Sequence, residues 1–464
     1  MRKILVLTAG LLAGTFSSSL YANTLADALE AAWEADPEWS AALRTWEAGQ
    51  ENKKQGRAAL LPNISARYSW MDNDYKIRRS GDSVDYETET VAVTLAQPLF
   101  RPEAWYAYKQ GSAATSVTEA EFAEARQQFF QRVASTYFEV LRAWENLASA
   151  QAEERAIGEQ LEQTDERYEV GLVAQTEVHE AEAAYDLVKV NVIMMQAEFD
   201  IARDKLEALT GRSWQQMATL LEDLPLNTPE PAEPNKWMEL AQAQNPSLIA
   251  AQQQTEVLRY NARQQTSAML PTVDLVAQHQ RYRDNANVPT NNPLSGGNLQ
   301  PKSRTNAYGI EVNMPLFQGG GLNSKRKQTA LQHEASVESY QQAWRDVGQQ
   351  TLASFRLVTA NASHIKARKQ AIRSAESALE ATQAGYDVGT RNIVEVLNAQ
   401  RTLFAAQRDY ANARYDYILS SLSLKALAGV LNEEDIIQVN SWLSTIDQVE
   451  LDEVAEDEGQ TRDS

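Results

Sequence analysis

Arg391, Glu395 and Asn398 stand at i, i+4 and i+7, so a helix carries a cation, a carboxylate and an amide in one stripe. Thr402, Asp409, Asp416 and Ser423 extend the polar character of that side. Such a stripe has two uses. It can be an ordinary solvated face, with Arg391 and Glu395 an intrahelical pair in the weaker order. In a closed ring of helices, one solvated face is a pore lining, where carboxylates meet passing ions. No acid, base and nucleophile are grouped as an enzyme needs. The chain has no Cys, which excludes thiolate metal sites, disulfides and a lipid anchor on Cys. The four His are scattered, and His333-Glu334 lacks the second His of a zinc motif. No metal or cofactor is expected.

The stripe needs a long helix to hold it. Val396, Leu403, Tyr410, Tyr417 and Leu424 recur every seven residues, and Ala399, Ala406, Ala413, Ser420 and Leu427 follow three places later. This is a coiled-coil seam, bulky at a and mostly small at d, so it predicts close left-handed packing. Gly385-Tyr386-Asp387-Val388-Gly389 precedes it, and Gly389 reads as the turn of a helical hairpin.

The pattern occurs twice. Tyr168-Glu169-Val170-Gly171, then Thr176-Glu177-Val178, opens a run ending at Leu209-Thr210-Gly211, as the second ends at Leu427-Ala428-Gly429. Its seam is Val178, Tyr185, Val192, Phe199 and Leu206 at a, with Ala181, Val188, Met195, Ala202 and Leu209 at d, each 218 residues before its counterpart. A tandem duplication follows. The first copy is less polar beside its seam, at Ala184, Leu187 and Met194, so the second hairpin is expected to line the lumen of any closed ring.

Residues 1–22, with Arg2 and Lys3 before an apolar run, read as an export signal. Losing that segment takes the net charge from −20 to −22, which argues against nucleic acid as a partner. The first repeat spans 23–211. It has helical character from Thr24 to Ala59, alternating strands at 63–72 and 90–98, a long helix, a hairpin at 168–177 and a coil. Residues 212–244, with Pro225, Pro229, Pro231 and Pro234, read as a linker with short elements. The second repeat, 245–429, has strands at 272–282 and 305–315 and a hairpin at 386–395. Both strand pairs end in Pro-Leu-Phe, at 98–100 and 315–317. Residues 430–446 form a matching insert, and the acidic tail 447–464 is expected to be disordered.

Strands of about ten residues cross a bilayer at a steep tilt, and a barrel must close so that no edge meets lipid. Four strands cannot close, so several chains must contribute. The fold class is therefore mainly α with a β-barrel part: long coiled-coil helices plus four transmembrane strands per chain, in an internal two-fold repeat.

On the paired Tyr-x-Val-Gly hairpins, the Pro-Leu-Phe turns, the Leu-x-Gly ends and Asn-Ala-Arg-Tyr-Asp-Tyr (412–417), the chain resembles the TolC family of outer-membrane efflux channels, in its non-lipidated branch. The resemblance implies a homotrimer with a 12-stranded barrel in outer-membrane lipid and a helical tunnel across the periplasm. Residues 212–244 and 430–446 would then be equatorial. It also implies a gate in which Tyr386 and Arg391 hold Thr176 and Glu177, within or between protomers. Glu395 and Asn398 take the places of the family's two acidic rings, so one ring keeps its charge and the other loses it. Glu395 would select cations, and mutual repulsion would make at least one proton of its ring harder to lose. The tips at Gly171, Leu172, Val173, Gly389 and Thr390 would meet a periplasmic adaptor coupled to an inner-membrane RND, ABC or MFS pump. The implied function is an exit duct for drugs, small molecules or proteins, in a tripartite efflux pump, a type I secretion system or both. The alternative is a periplasmic coiled-coil scaffold or adaptor without a pore, which leaves the strands unexplained.

Overall fold

The computed structural model describes residues 24–76, 83–222, 224–284 and 302–450. The expected signal and the tail beyond Glu450 lie outside these residues. Helix α1 (Leu25–Ala35) begins in a capping box, with the Thr24 hydroxyl accepting from Asp27 N–H and the Asp27 carboxylate accepting from Thr24 N–H. Residues 24–59 read as one helical segment, but it divides at Asp36-Pro37. Pro37 opens α2 (Pro37–Gly49), and the Asp36 carboxylate accepts from Glu38 N–H at 2.9 Å, so proline and cap together start a new helix. Helix α3 (Glu51–Ala58) completes the entry.

Strands β1 (Asn63–Lys76) and β2 (Ser83–Phe100) follow. Both outrun the expected 63–72 and 90–98, and residues 73–76 and 83–89 of the charged stretch between them continue the ladder, with Asp74 opposite Asp85 and Asn73 opposite Tyr86. Alternating hydrophobicity ends where the apolar belt ends. The hydrogen-bond ladder needs only backbone and continues beyond it.

Long helices leave the strand region. Arg101 alone separates β2 from α4 (Pro102–Glu169), whose first position is a proline. The α4 rod has 68 residues and turns at Gly171 into α5 (Gln175–Thr210). Short elements then cross the middle of the chain: β3 (Gln216–Leu220), α6 (Pro234–Gln244) and α7 (Pro246–Ser267). Strands β4 (Thr272–Asp284) and β5 (Lys302–Asn313) lead through residues 314–320 to α8 (Gly321–Asp387), a rod of 67 residues. Helix α9 (Ile393–Leu427), α10 (Glu433–Asn440) and β6 (Leu443–Glu450) end the described chain. At about 1.5 Å per residue each rod is about 100 Å long.

The four long strands form one antiparallel sheet in the order β1-β2-β4-β5. Pairing puts Ile64, Ala66, Tyr68, Val91, Val93, Leu95, Ala277 and Tyr308 on one face, along with Leu275 and Ile310. This apolar face is largely exposed in a single chain. Among the described residues, no helix is long and apolar enough to cross a membrane. The other face carries Ser65, Arg67, Thr90, Thr94, Gln278 and Thr305.

Helix α4 packs with α5, and α8 with α9, as the two seams require. None of the 20 seam positions is exposed. The core runs along α4 through Phe130, Val133, Tyr137, Val140 and Leu147. At mid-height β3 pairs with β6. Residues 447–450, expected in a disordered tail, are therefore part of a strand, because Gln216, Met217 and Ala218 supply its ladder partners.

Gly429 ends α9 with φ +74°, and a Cβ there would lie 2.3 Å from the Gln244 carbonyl oxygen. Asn245 locks the same junction by donating to the Leu427 carbonyl at 2.8 Å. Gly429→Ala adds this clash to a left-handed backbone that alone costs about 1–2 kcal/mol. Gly389→Ala, with nothing within 4 Å of its Cβ, carries only the backbone cost. The midpoint of thermal unfolding should therefore fall further in Gly429→Ala than in Gly389→Ala; equal midpoints would refute the close approach.

Candidate channel gate at the hairpin tips

The two turns share one geometry. Leu172 N–H donates to the Arg167 carbonyl at 2.8 Å, and Thr390 N–H donates to the Gly385 carbonyl at 2.8 Å. Gly171 and Gly389 both hold φ +76°, the left-handed residue that such a helix end requires. Gly171, Leu172, Gly389 and Thr390 are exposed and Val173 is half-buried. Val170 and Val388 add apolar area beside them. Among the tip residues, the Thr390 hydroxyl also donates to the Gly385 carbonyl at 3.0 Å.

Just behind the tips, Ile157 of α4, Ala184 and Val188 of α5, Tyr386 of α8, and Ile393, Val396 and Leu397 of α9 form a second apolar core. Tyr386 is only 5% exposed there, and its hydroxyl is buried without a hydrogen-bond partner. Arg167 lies over its ring, 4.8 Å from the centroid, and donates to Asp387 at 3.0 Å. Gln383 donates to the same Asp387 oxygen at 3.4 Å. Arg167, Asp387 and Tyr386 thus clasp the end of α4 to the end of α8. Sequence reading missed this clasp. Its signal was opposite charge in the last turns before two matched Gly residues.

Arg391 donates to Glu395 within α9, while Asn392 caps that helix by accepting from Glu395 N–H at 3.0 Å. Thr176 is exposed and Glu177 half-buried at the start of α5. Among the described residues, no hydrogen bond within the chain joins either one to Tyr386 or Arg391. The chain alone shows the pair with Glu395, the first of the two uses considered for Arg391, but Arg391 sits in the turn before the cap Asn392 and reaches into α9 from outside the helix. The Arg391 hydrogen bond is the main cause holding the Glu395 carboxyl below its ordinary value of 4.5. Partial desolvation opposes it, and the Arg391 charge and the Asn392 backbone assist. Asn398, one turn on, is exposed.

Higher on α9 the polar stripe turns away from the face of Arg391. Arg368 of α8 pairs with Asp409 at 2.7 Å, and Arg142 of α4 pairs with Asp416 at 2.6 Å. A helix drifts about 20° per heptad against a strict seven-residue line, so one stripe cannot keep one face over its whole length. Arg414 is buried against Glu145 at 3.0 Å, and the Tyr415 hydroxyl donates to the same carboxylate at 2.6 Å. Glu153 of α4 faces Arg408 and Arg401; burial pushes its carboxyl up, and the two guanidiniums pull it down. In the first hairpin Ala184 is buried, whereas Leu187 and Met194 join Val190, Ile193 and Ile201 in an exposed apolar edge along α5.

A sequence profile described as Outer membrane efflux protein matches residues 28–212 and 237–430, one segment in each repeat. The chain is 35% identical over 447 residues to the outer membrane protein TolC of Vibrio cholerae, covering 96% of this chain and 99% of that one. It is 28% identical to the alkaline protease secretion protein AprF of Pseudomonas aeruginosa, covering 94% and 90%. In fold it is similar to the CmeC outer membrane channel of Campylobacter jejuni, with a TM-score of 0.73 at 15% identity, covering 96% and 98%. With both repeats matched and the strands, rods and hairpins in place, the chain belongs to the outer membrane efflux protein family and is a channel of the outer membrane that extends into the periplasm.

Proposed function

We propose that three copies close into a 12-stranded barrel continued by a helical tunnel, and that this assembly is the passive exit duct of a tripartite efflux pump or a type I secretion system. The observation that carries it is the open sheet. Strands β1 and β5 are unpaired edges of a sheet whose apolar face must meet lipid, where an open edge is not tolerated. The exposed apolar edge of α5 likewise calls for another copy. The secretion protein among the relatives favours protein cargo beside small molecules.

In the closed ring Arg391 leaves Glu395 for Thr176 and Glu177 of the neighbouring copy, and Tyr386 backs the same contact from its pocket. The exposed tips dock a periplasmic adaptor, which couples the duct to an inner-membrane RND, ABC or MFS pump. Single-channel recording on protein extracted from the outer membrane tests the duct. A trimer that conducts is expected, and a protein that never conducts would instead be a scaffold.

Glu395 supplies the ring that selects ions, and Asn398 adds dipoles without charge. Cation preference should hold at neutral pH and weaken as pH falls through the titration of the Glu395 ring, where like charges make a proton harder to lose. Glu395→Gln should remove most of the preference and the pH dependence while the trimer still forms. Reversal potentials in a salt gradient measure both; equal preference in wild type and Glu395→Gln would rule out the ring.

A further inference from the structure

The helices that join the sheet all attach at one end of it: α3 leads into β1, β2 into α4, α7 into β4, and β5 into α8. These helices extend into the periplasm. The opposite end of the sheet, where β4 stops at Asp284 and β5 starts at Lys302, therefore lies on the side of the outer leaflet. On these two strands the lipid-facing side is built in successive ladder rows. Leu275 with Ile310, then Ala277 with Tyr308, belong to the apolar belt. His279 and Asn306 come next, their side chains joined at 2.6 Å. Beyond them Arg281 lies opposite Arg304, and Arg283 opposite Lys302.

Like charges directly across a ladder destabilise it, and here two such pairs are stacked. Arg283 has relief, since Glu89 of β2 reaches it at 3.3 Å. Arg281 and Arg304 share their row with Val91 and Tyr68, which bring no carboxylate. Among the described residues, no hydrogen bond or ion pair within the chain engages the side chain of Arg281, Lys302 or Arg304. Lys302 and Arg304 are exposed, and Arg281 is half-buried. Residues 285–301, between the two strands, contain neither Asp nor Glu. In a chain of net charge −20, a block of cations without carboxylates of its own calls for an anion from outside.

We propose that this block is a binding site for the phosphate groups of outer-leaflet lipid. The row of Arg281 and Arg304 stands four residues, about 14 Å, beyond the row of Ala277 and Tyr308. A lipid lying along the strands thus meets the apolar rows with its chains and the cations with its headgroup. Phosphate oxygens between Arg281 and Arg304 accept from two guanidinium forks, and Lys302 adds a point charge. The bound anion turns a repulsion across the ladder into a bridge. A neighbouring copy at the β5 edge is the other candidate for Lys302 and Arg304. Arg281 decides for lipid: β4 is paired on both sides, by β2 and β5, so its outward cation faces the bilayer and no strand edge. The inference rests on the place of the channel in the outer membrane and not on conduction.

Native mass spectrometry tests this on the full-length protein, extracted from outer membranes, stripped of lipid and titrated with diphosphoryl lipid A. Arg281→Gln with Arg304→Gln should weaken binding by about tenfold or more. Arg281→Lys with Arg304→Lys keeps the charge and should lose only about threefold. Arg67→Gln removes a cation from the opposite face of the sheet and should bind like wild type. Lipid A freed of its phosphates should bind wild type as weakly as intact lipid A binds the double Gln variant. Circular dichroism keeps folding apart from binding. If the double variant misfolds, Arg304→Gln alone, at an exposed position, should still lose about threefold. Equal affinity of wild type and the folded Gln variants would overturn the proposal, as would unchanged binding of the phosphate-free lipid. Displacement of lipid A by inorganic phosphate at equal phosphate concentration would also overturn it and assign the cations to a free anion. Loss of the trimer in the double variant, with lipid A affinity unchanged, would assign them to the neighbouring copy.

Discussion

Arg391→Ala should raise the conductance of the resting channel by about 10- to 100-fold. Arg391 is more than half exposed in the single chain, and its bond to Glu395 is an i,i+4 pair in the weaker order. That bond is easily exchanged for one to the neighbouring copy, where Thr176 and Glu177 offer a hydroxyl and a carboxylate. Three such exposed contacts at about 0.5–1 kcal/mol each bias closure by roughly 2–3 kcal/mol. Arg167→Ala removes the clasp on Asp387 and Tyr386 inside the chain, so it should loosen α8 against α4 and add to the effect. Bilayer recordings, with sensitivity of cells to a large antibiotic as a second readout, decide the matter. If Arg391→Ala conducts like wild type, the gate lies elsewhere.

Val396→Asp should abolish the heat-resistant trimer. Val396 is 0% exposed, packed in the core behind the tips with Ile157, Val188 and Tyr386. The substitution forfeits about 1.5–3 kcal/mol of apolar burial. It also places a carboxylate in an apolar core closed to solvent, which costs several kcal/mol more unless the group takes a proton. Leu403→Asp, at the next a position, should do less, because Leu403 is only half-buried and solvent reaches it. A gel showing normal trimer for Val396→Asp would refute the seam.

The seam was legible because a heptad is a local repeat whose spacing states which side is covered. The equal hairpins were legible because duplication preserved the offset between Gly171 and Gly389. Other features depend on partners far away in sequence. The charged ends of β1 and β2 extend as strand because each supplies the other's ladder. Residues 447–450 become ordered because β3 lies beside them. The clasp of Arg167 on Asp387 joins residues 220 apart, and no local pattern announces it. Asp409 and Asp416, read as part of one polar face, are drawn to Arg368 and Arg142 by helix drift. The apolar edge of α5 shows in the sequence only as lower polarity beside the first seam, because Val190, Ile193 and Ile201 share that edge only once α5 is folded.

The two rods are coupled to the sheet in unlike ways. Strand β2 enters α4 through Arg101, whose guanidinium is tied to Asp274 of β4 at 2.5 Å, and Pro102 fixes the first helical turn. Strand β5 reaches α8 through residues 314–320, where Gly319 and Gly320 hold φ of +61° and +81° with nothing within 4 Å of a Cβ. Torque applied at the mouth therefore has one stiff load path and one compliant bearing. Helix α4 transmits it to the rim as a strut. Helix α8 can turn about its own axis at the paired glycines and leave β5 where it is. A tube in which struts alternate with swivels can unwind half its staves at the periplasmic end while the hoop in the bilayer keeps its shape.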